Sequence, residues 1–428
     1  MASPLQSQSI GSGITFHRIQ DKKFKHNRIS VNFILPLQRE TATVHAVLPF
    51  LMQRGYRDCA DFTQFSRRLD ELYGAAVSGN VSKAGEYQII TLSITCVDDR
   101  YTMDGEQITA QCAQLLADMV CRPNITDGRF DPAVLELEKN SLLDTILSER
   151  NDKRAYANLR CSELLFEGTA AAVKQYGYAE DVAAITPESA AQAYAEMMRT
   201  AAVEIIMAGA SDNGQIAGIF AEAFAAQPRQ PVQARLTPAA FASEQVREVT
   251  EQMDLTQAKM VLGFTSQPVH TSREEAAARV ATAIYGGTAF SKLFLHVREK
   301  LSLCYYCAAR SNTATASMLV DCGVEAANKE KAQQEILHQL SLMQQGSFTE
   351  EELHNAKLAA VNSLRASGDS LSVTDRWYLS KILRGETGSP EEEIAEVQAV
   401  SADEVAAFMK TMRLAVVYLL AGEQKKGA

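Results

Sequence analysis

The sequence has no apolar run long enough to cross a membrane as a helix. The longest obvious one, residues 414–422, has the length and composition of a buried strand. The sequence also lacks a basic surplus, because 52 acidic residues against 42 lysines and arginines give a net charge of −10. These absences argue against a membrane protein and against a nucleic-acid-binding protein.

Export signals and a disulfide framework are missing as well. The first nine residues contain no basic segment followed by an apolar core, and the eight cysteines are scattered along the chain. We therefore expect a cytoplasmic protein with reduced, partly buried thiols. The 428 residues, 46% hydrophobic and 22% charged, are enough for two ordinary globular domains.

Residues 43–55 form the first informative stretch. Apolar side chains recur there at intervals of three and four, which predicts a helix with one buried stripe: Val44, Val47, Leu48, Leu51 and Met52. Arg54 and Gly55 are a typical helix end. Pro49 lies inside the pattern, so we expect a kinked helix or a later start of its regular part.

The two halves of the chain share an order of predicted elements. The first half reads as a strand at 24–35, a helix at 61–73, a strand pair at 75–97, a helix at 103–121 and a long helical region from 131 toward 166. The second half reads as strands at 246–253 and 257–265, helices at 273–285 and 289–301, strands at 304–312 and 316–324, and helical blocks at 328–345 and 349–383.

An internal repeat supports this parallel. Residues 182–209 and 397–422 each combine a capped helix with a buried strand that ends in Ala-Gly. The alternative is a chance pair of unrelated helix–strand units. The repeat predicts an α+β fold of two homologous domains, each a mainly antiparallel sheet with helices packed on one face. The expected domains are 1–226 and 242–428, joined by a proline-containing linker at 227–241.

Residues 286–305 carry a longer motif. They read Gly-Gly-Thr-Ala-Phe-Ser-Lys-Leu-Phe, then Leu-His-Val, then Arg-Glu-Lys-Leu-Ser-Leu-Cys-Tyr. This segment resembles the second-domain signature of the insulinase/pitrilysin metallopeptidase family and departs from it mainly at Ser302, where the family favours glycine. The resemblance implies a fold like that of LuxS and mitochondrial processing peptidase.

The resemblance also implies a role for Arg298 and Tyr305. In the family, the matching arginine and tyrosine hold the substrate backbone and stabilise charge on the attacked carbonyl, as preorganised donors do. Taken without the signature, the same pair reads as a solvated helix-end arginine and a tyrosine in the core. Tyr306 is the spare candidate for the tyrosine.

The zinc motif of the family is degenerate in this chain. The family helix carries His-x-x-Glu-His, in which the two histidines bind zinc and the glutamate acts as general base. Aligning the closing glycine on Gly55 puts Ala46 and Phe50 at the histidine positions and Pro49 at the glutamate. The resemblance therefore implies no zinc on this chain. His45 lies one residue out of register, and we expect it to be a surface or helix-start histidine.

The third zinc ligand of the family is a glutamate on a later helix. A loose alignment puts Asp144 or Thr145 at its position, and Glu138 and Glu149 are expected on a solvated helical face.

Cys304-x-x-Cys307 also invites a metal or redox interpretation. Side chains three apart on a strand point to opposite faces, so we favour two unrelated structural cysteines.

The function that the resemblance implies is a non-catalytic subunit of a two-chain insulinase-type zinc peptidase. Its partner would be a sister subunit that carries His-x-x-Glu-His and the zinc, and its substrate a peptide or small protein. The chain resembles bacterial members without the zinc motif that are associated with elongation factor P modification. The alternative is a purely structural or peptide-binding scaffold with no role in cleavage. An independent hydrolase lacks a supporting constellation, and the sequence leaves open whether the chain alone forms a homodimer.

Overall fold

The computed structural model describes residues 5–59, 61–211, 214–237 and 245–422. Residues 238–241 of the predicted linker lie outside these ranges. Residues 227–237 form neither helix nor strand, and Val232 donates its backbone N–H to the Thr200 carbonyl at 2.8 Å. No helix in the described ranges is both long and apolar enough to span a membrane.

The first half of the chain contains eight strands and eight α-helices among its described residues. They are β1 (Leu5–Gly11), β2 (Ile14–Gln20), β3 (His26–Pro36), α1 (Ala42–Met52), α2 (Phe62–Glu71), β4 (Ala76–Ala84), β5 (Tyr87–Val97), α3 (Ile108–Cys121), β6 (Ile125–Thr126), β7 (Arg129–Phe130), α4 (Pro132–Ser148), α5 (Lys153–Leu165), α6 (Ala179–Val182), α7 (Pro187–Thr200), β8 (Ala202–Gly209) and α8 (Gln215–Ala225).

The second half continues with β9 (Arg247–Met253), β10 (Ala258–Thr265), α9 (Ser272–Thr282), β11 (Cys304–Asn312), β12 (Ser317–Val324), α10 (Lys329–Gln344), α11 (Glu350–Ser367), α12 (Leu371–Arg384), α13 (Pro390–Ala399), α14 (Ala402–Lys410) and β13 (Arg413–Gly422). Two π-helical segments, Ala283–Gly287 and Leu293–Lys300, lie between α9 and β11.

The two main sheets of the described chain repeat one topology. One has the order β1-β2-β8-β3-β5-β4 and the other the order β11-β12-β10-β13-β9. If the second order is read backwards from β9, its strands β9, β13, β10, β12 and β11 correspond to β2, β8, β3, β5 and β4. Strand β1 is an additional edge strand of the first sheet. In each sheet only one pair is parallel, β2 with β8 and β13 with β9, and the other neighbours are antiparallel. The predicted fold class, two homologous α+β domains, is confirmed.

The internal repeat occupies equivalent places in the two sheets. Helix α7 leads into β8 and helix α14 into β13, and each strand lies between its parallel and its antiparallel neighbour. Capping boxes at Thr186 and Ser401 begin the two helices, because each side chain accepts a backbone N–H of the first turn. The predicted repeat is therefore confirmed.

Both faces of the central strands β3 and β10 are buried. The predicted apolar face of β3, which carries Ile29, Val31, Phe33 and Leu35, packs in the core of the first unit with residues of α1, α3 and α7. The opposite face of β3 meets α12, and the corresponding face of β10 meets α5. Helices therefore cover both faces, where the sequence predicted one.

The two compact units are consequently discontinuous in sequence. The first consists of residues 1–147, 173–236 and 367–389, and the second of residues 148–172, 237–366 and 390–428. Helix α5 thus belongs to the second unit and α12 to the first. The long helical region predicted from 131 toward 166 is broken where α5 begins, because the Asp152 carboxylate accepts the backbone N–H groups of Arg154 and Ala155.

Helix α12 is attached to its sheet through a buried carboxylate. The Arg28 guanidinium and the Ser30 hydroxyl each donate a hydrogen bond to Asp375 at 2.9 Å. Burial raises the pKa of Asp375 against the attraction of Arg28, so the pair offsets only part of its desolvation cost.

Replacing Asp375 by alanine is expected to lower the free energy of unfolding by about 3 kcal/mol, because Arg28 then keeps a largely buried charge without its partner. Removing the exposed Arg68–Glu71 pair with Glu71→Ala should cost less than about 1 kcal/mol. Denaturant unfolding of both variants measures the difference, and equal losses would contradict a structural role for the buried pair.

Candidate functional site

The three degenerate zinc positions lie on α1 in an apolar setting. Ala46 and Pro49 are buried, and Phe50 is partly buried against the core of the first unit. The helix begins at Ala42, so the expectation of a later start because of Pro49 is wrong. None of these side chains offers a nitrogen, oxygen or sulfur to a metal ion.

Strand β4 closes directly onto this helix. A Cβ added at Gly79 would lie 2.7 Å from the Pro49 carbonyl oxygen, so only glycine fits there. The Gly79 N–H donates to the Gln53 side chain at 2.9 Å. The helix that the resemblance aligns with the family's zinc helix is packed here as an ordinary structural helix.

Helix α4 reaches α1 through Glu138, which is only 3% exposed and accepts a hydrogen bond from Arg54 at 2.5 Å. The expectation that Glu138 lies on a solvated face is wrong, because the carboxylate is buried against a cation at the end of α1. Asp144 and Thr145, the aligned positions of the third zinc ligand, are exposed.

His45 lies in the first turn of α1, as the helix-start alternative predicted, but it is only 6% exposed, so the surface alternative is wrong. Its Nδ1 atom is buried without a hydrogen-bond partner among the described residues. Burial lowers the pKa of His45 to about 4, so the ring is neutral near pH 7. In the described part of the chain, no three His, Cys, Asp or Glu side chains are arranged to hold a metal ion.

The signature segment has an unusual backbone. It begins in the last two residues of the first π-helical segment and contains the whole of the second, and such windings occur frequently at functional sites. Arg298 lies in the second of them, 41% exposed, with its guanidinium 4.5 Å from the centroid of the Phe294 ring. Its one ion pair in the described structure is with its sequence neighbour Glu299, at 3.4 Å.

The two tyrosines that follow differ sharply in environment. Tyr305 is 67% exposed and makes no hydrogen bond within the described structure. Tyr306 lies under Arg154, which is 4.1 Å from its ring centroid, and its buried hydroxyl has no hydrogen-bond partner in the described chain. Tyr305 is therefore free to meet a ligand, whereas Tyr306 packs on the sheet face covered by α5.

Ser302, where the sequence departs from the family signature, has a backbone conformation that favours glycine. Its φ of 50° is left-handed, a region that costs strain for residues other than glycine. This conformation ends the second π-helical segment and lets the Leu303 N–H bond to the Val297 carbonyl at 3.0 Å. The backbone therefore requires a left-handed conformation at this position. Glycine adopts it without strain, whereas serine adopts it at a cost in free energy.

The Cys304-x-x-Cys307 geometry contradicts the sequence interpretation. Cys304 pairs with Val324 and Cys307 with Cys322, so three steps along β11 oppose two along β12. This bulge turns both cysteines into the same core cluster, together with Cys322. The rule that side chains three apart face opposite ways fails because the strand is not regular here.

A cavity of about 530 Å³ lies within the second unit, between α9, the first π-helical segment, β11 and α11. Helices α9 and α11 hold the places in the repeat that α1 and α4 hold in the first unit. The charged side chains that line the cavity are Glu275, Arg279 and Arg310. Arg310 makes no ion pair or hydrogen bond through its side chain among the described residues.

A hydrogen-bonded row that the sequence did not reveal crosses three strands of the first sheet. The Ser7 hydroxyl lies 2.7 Å from His17 Nδ1, and His17 Nε2 lies 2.7 Å from a Glu204 oxygen. This order of groups is that of a general-base relay. The same row also has a structural explanation, because its three residues lie on neighbouring strands. Its hydrogen bonds attach the edge strand β1 to the sheet. No sequence signal could have found it, since the third member is 187 residues from the second.

Ser302→Gly is expected to raise the free energy of unfolding by about 0.5–1 kcal/mol, because glycine adopts the left-handed conformation without a Cβ clash. Ser302 is exposed, so little packing is lost. The matched control is Ser302→Ala, which keeps the Cβ and should not stabilise. Chemical denaturation compares the variants, and a glycine variant no more stable than the alanine variant would contradict the assignment of strain.

Comparisons with known proteins agree with this geometry. Residues 184–359 match the family model described as the peptidase M16 inactive domain. The chain is 27% identical over 425 residues to the "Probable inactive metalloprotease YmfF" of Bacillus subtilis strain 168, across 97% of this chain and 98% of that protein.

Solved structures extend the similarity to the whole fold. A conserved protein from Enterococcus faecalis V583 has a TM-score of 0.92 at 27% identity, covering 99% of this chain and all of that one. A peptidase M16 inactive domain from Pseudomonas fluorescens has a TM-score of 0.78 at 17% identity, over 98% of each chain. With the duplicated sheets and the signature segment, these similarities confirm that the chain resembles inactive members of the M16 peptidase family over nearly its whole length.

Proposed function

We propose that this chain is the non-catalytic subunit of a two-chain M16 peptidase, which binds peptide and completes the active site of a zinc-bearing sister subunit. The observation that carries the proposal is the contrast between two regions. The zinc-motif positions are filled by packed apolar side chains, whereas Arg298 and Tyr305 are exposed with few partners of their own.

The chemistry of the exposed pair supports a role at an attacked carbonyl. A guanidinium and a phenol are donors for an oxygen that becomes negative in the transition state. Arg298 is restrained by Phe294 and by its own π-helical segment, so a partner would meet a donor that is already positioned.

Apolar exposure in the same segment supports a binding surface. Large apolar side chains that remain exposed between residues 290 and 305 are Phe290, Leu295, Leu301 and Tyr305. Exposed apolar side chains near charged groups are typical of surfaces that bind a protein or peptide. A sister subunit and its peptide substrate are the occupants that fit this proposal.

The alternative is a peptide-binding scaffold with no role in cleavage, and the cavity of the second unit favours it. Its volume is within the usual range of ligand sites, and the unpaired Arg310 guanidinium in its lining suits a carboxylate. In that case peptide binding would depend on the cavity, and Arg298 would not affect turnover by a partner.

The isolated chain is expected to bind no stoichiometric zinc and to cleave no peptide, because Ala46, Pro49 and Phe50 supply neither ligands nor a general base. Elemental analysis of the purified chain and a peptidase assay check this, with a His-x-x-Glu-His family member as positive control. One equivalent of tightly held zinc, lost together with activity on chelation, would contradict it.

The decisive experiment reconstitutes the sister subunit with wild-type, Arg298→Ala, Arg298→Lys or Tyr305→Phe chains and measures cleavage of one peptide. Loss of one transition-state donor is expected to lower kcat by about 10²–10³, with a smaller change in KM. Lysine should rescue Arg298→Ala only in part, because it cannot form a forked contact.

Arg365→Ala is the matched control, since this exposed arginine lies on α11, outside the signature. Complex formation is measured separately for each variant. Intact complexes with unchanged turnover in Arg298→Ala and Tyr305→Phe would reject active-site completion and leave the scaffold alternative.

A further inference from the structure

Strand β11 lies at the edge of the second sheet, where β12 is its one neighbour in the strand order. The backbone N–H and C=O groups of such a strand point alternately toward the neighbouring strand and away from the sheet. Outside the ladder with β12, the backbone of residues 309–311 makes no hydrogen bond among the described residues. We call this segment the open edge, because its outward groups are available to a further strand.

The cavity of about 530 Å³ borders the open edge. Its lining includes the consecutive residues 309–312 of β11. Successive side chains of a strand point to opposite faces of the sheet, so one cavity borders all of these residues only if it follows the edge of the strand. Gly287 and Ser363, which also line the cavity, are exposed, so the cavity reaches the protein surface.

The remaining walls of the cavity leave room for a second backbone. They are formed by α9, the first π-helical segment and α11, and they include the small residues Ala283, Gly287, Ala359 and Ala360. The Thr282 hydroxyl lies 3.0 Å from the Ser311 hydroxyl and attaches α9 to the strand. The volume is within the usual range of ligand sites.

The first unit is closed at the equivalent place. Strand β4 is the matching edge strand of the first sheet. There the Gly79 N–H donates to the Gln53 side chain at 2.9 Å, and Gly79 lies directly against Pro49. An edge that borders a cavity is therefore a feature of the second unit and does not follow from the repeated topology.

The charges around the cavity leave one cation without a partner. Glu275 and Arg279 are four residues apart on α9 and share a helical face, and Arg279 also pairs with Glu393. Arg310 on the strand is exposed and makes no ion pair or hydrogen bond through its side chain among the described residues. The uncompensated charge at the open edge is therefore positive.

We propose that the open edge binds an extended peptide as an additional strand, with an acidic side chain of the peptide beside Arg310. Main-chain hydrogen bonds supply the affinity in this mode of recognition, and alternate side chains of the peptide enter the adjacent cavity. Opposite charges on adjacent strands attract each other, which favours an acidic residue of the peptide next to Arg310.

This inference deepens the proposed function and rests on it for the role of the bound peptide. Strand β11 also carries Tyr305, so a peptide on the open edge lies along the strand that presents the phenol. The test measures binding to the isolated full-length chain and involves neither a sister subunit nor cleavage. A failed binding test and a failed completion of the partner's active site are therefore separate results.

The probe is the fluorescently labelled peptide Thr-Val-Thr-Glu-Thr-Val-Thr with both ends blocked, titrated with the chain and followed by fluorescence anisotropy. Two further probes carry N-methyl groups on one or the other alternating set of backbone nitrogens. An added strand uses the N–H groups of only one of its edges. One methylated probe should therefore lose at least about fivefold in affinity and the other should bind like the parent. Equal affinities of the two methylated probes would contradict strand pairing.

Charge reversal tests the role of Arg310. Arg310→Glu should weaken binding of the glutamate peptide by about three- to tenfold and strengthen binding of the same peptide with lysine at the centre. The matched control is Arg67→Glu, which reverses an exposed arginine on α2 of the first unit and should change neither affinity. An exposed arginine on an edge strand also protects against aggregation. Equal affinities in the two variants would leave Arg310 only that protective role and reject the proposal.

Filling the cavity tests its part in binding. Ser363→Trp places a large side chain on the exposed α11 wall and should weaken both peptides, whereas Ser363→Ala should not. Unchanged binding in Ser363→Trp would exclude the cavity from the site.

A second copy of the chain is the competing occupant of the open edge, and sedimentation of the chain without peptide decides between them. We expect no dimer that depends on this edge. A dimer that Arg310→Glu or Ser363→Trp dissociates would assign the open edge to self-association and overturn the proposal.

Discussion

The burial of β3 and β10 on both faces is the constraint on which the rest of the structure depends. A strand buried on both sides needs cover on both, and polar side chains on the second face need partners. Helices α12 and α5 supply the cover. Their charged residues Asp375 and Arg154 pair with Arg28 and Asp321 on the sheets. This need explains why each unit includes a helix from the opposite half of the sequence.

The same packing rule applies to the helix that the sequence aligns with the family's zinc motif. A zinc helix must expose imidazoles into an open space, and it must keep a place for water and substrate. Here Gly79 lets β4 approach Pro49 too closely for any side chain, and Arg54 with Glu138 closes the gap toward α4. The apolar side chains at these positions and the closely packed β4 and α4 together make this region part of the core of the first unit.

Local patterns predicted the fold well because they report local physics. The alternating face of β3, the capping box at Ser401 and the repeated helix–strand unit were all readable from neighbouring residues. The hairpin β1–β2 was missed because most of β1 is polar and exposed. The sequence also did not show that α5 packs in the second unit and α12 in the first. That assignment depends on which sheet face needs a covering helix, and contacts between residues hundreds of positions apart decide it.

The candidate site likewise has a part that the sequence predicted and a part that it did not. The signature identified Arg298 and Tyr305 as candidates, but three features around them depend on backbone geometry that no residue pattern encodes. The left-handed Ser302 ends the π-helical segment, and the bulge after Cys304 reverses the direction of its side chain. The hydroxyl of Tyr306 is buried, whereas Tyr305 is exposed. The bulge thus places both Cys304 and Cys307 in the core cluster, while Tyr305 between them stays exposed. Whatever binds this surface therefore meets the Tyr305 phenol and the Arg298 guanidinium, because both are exposed.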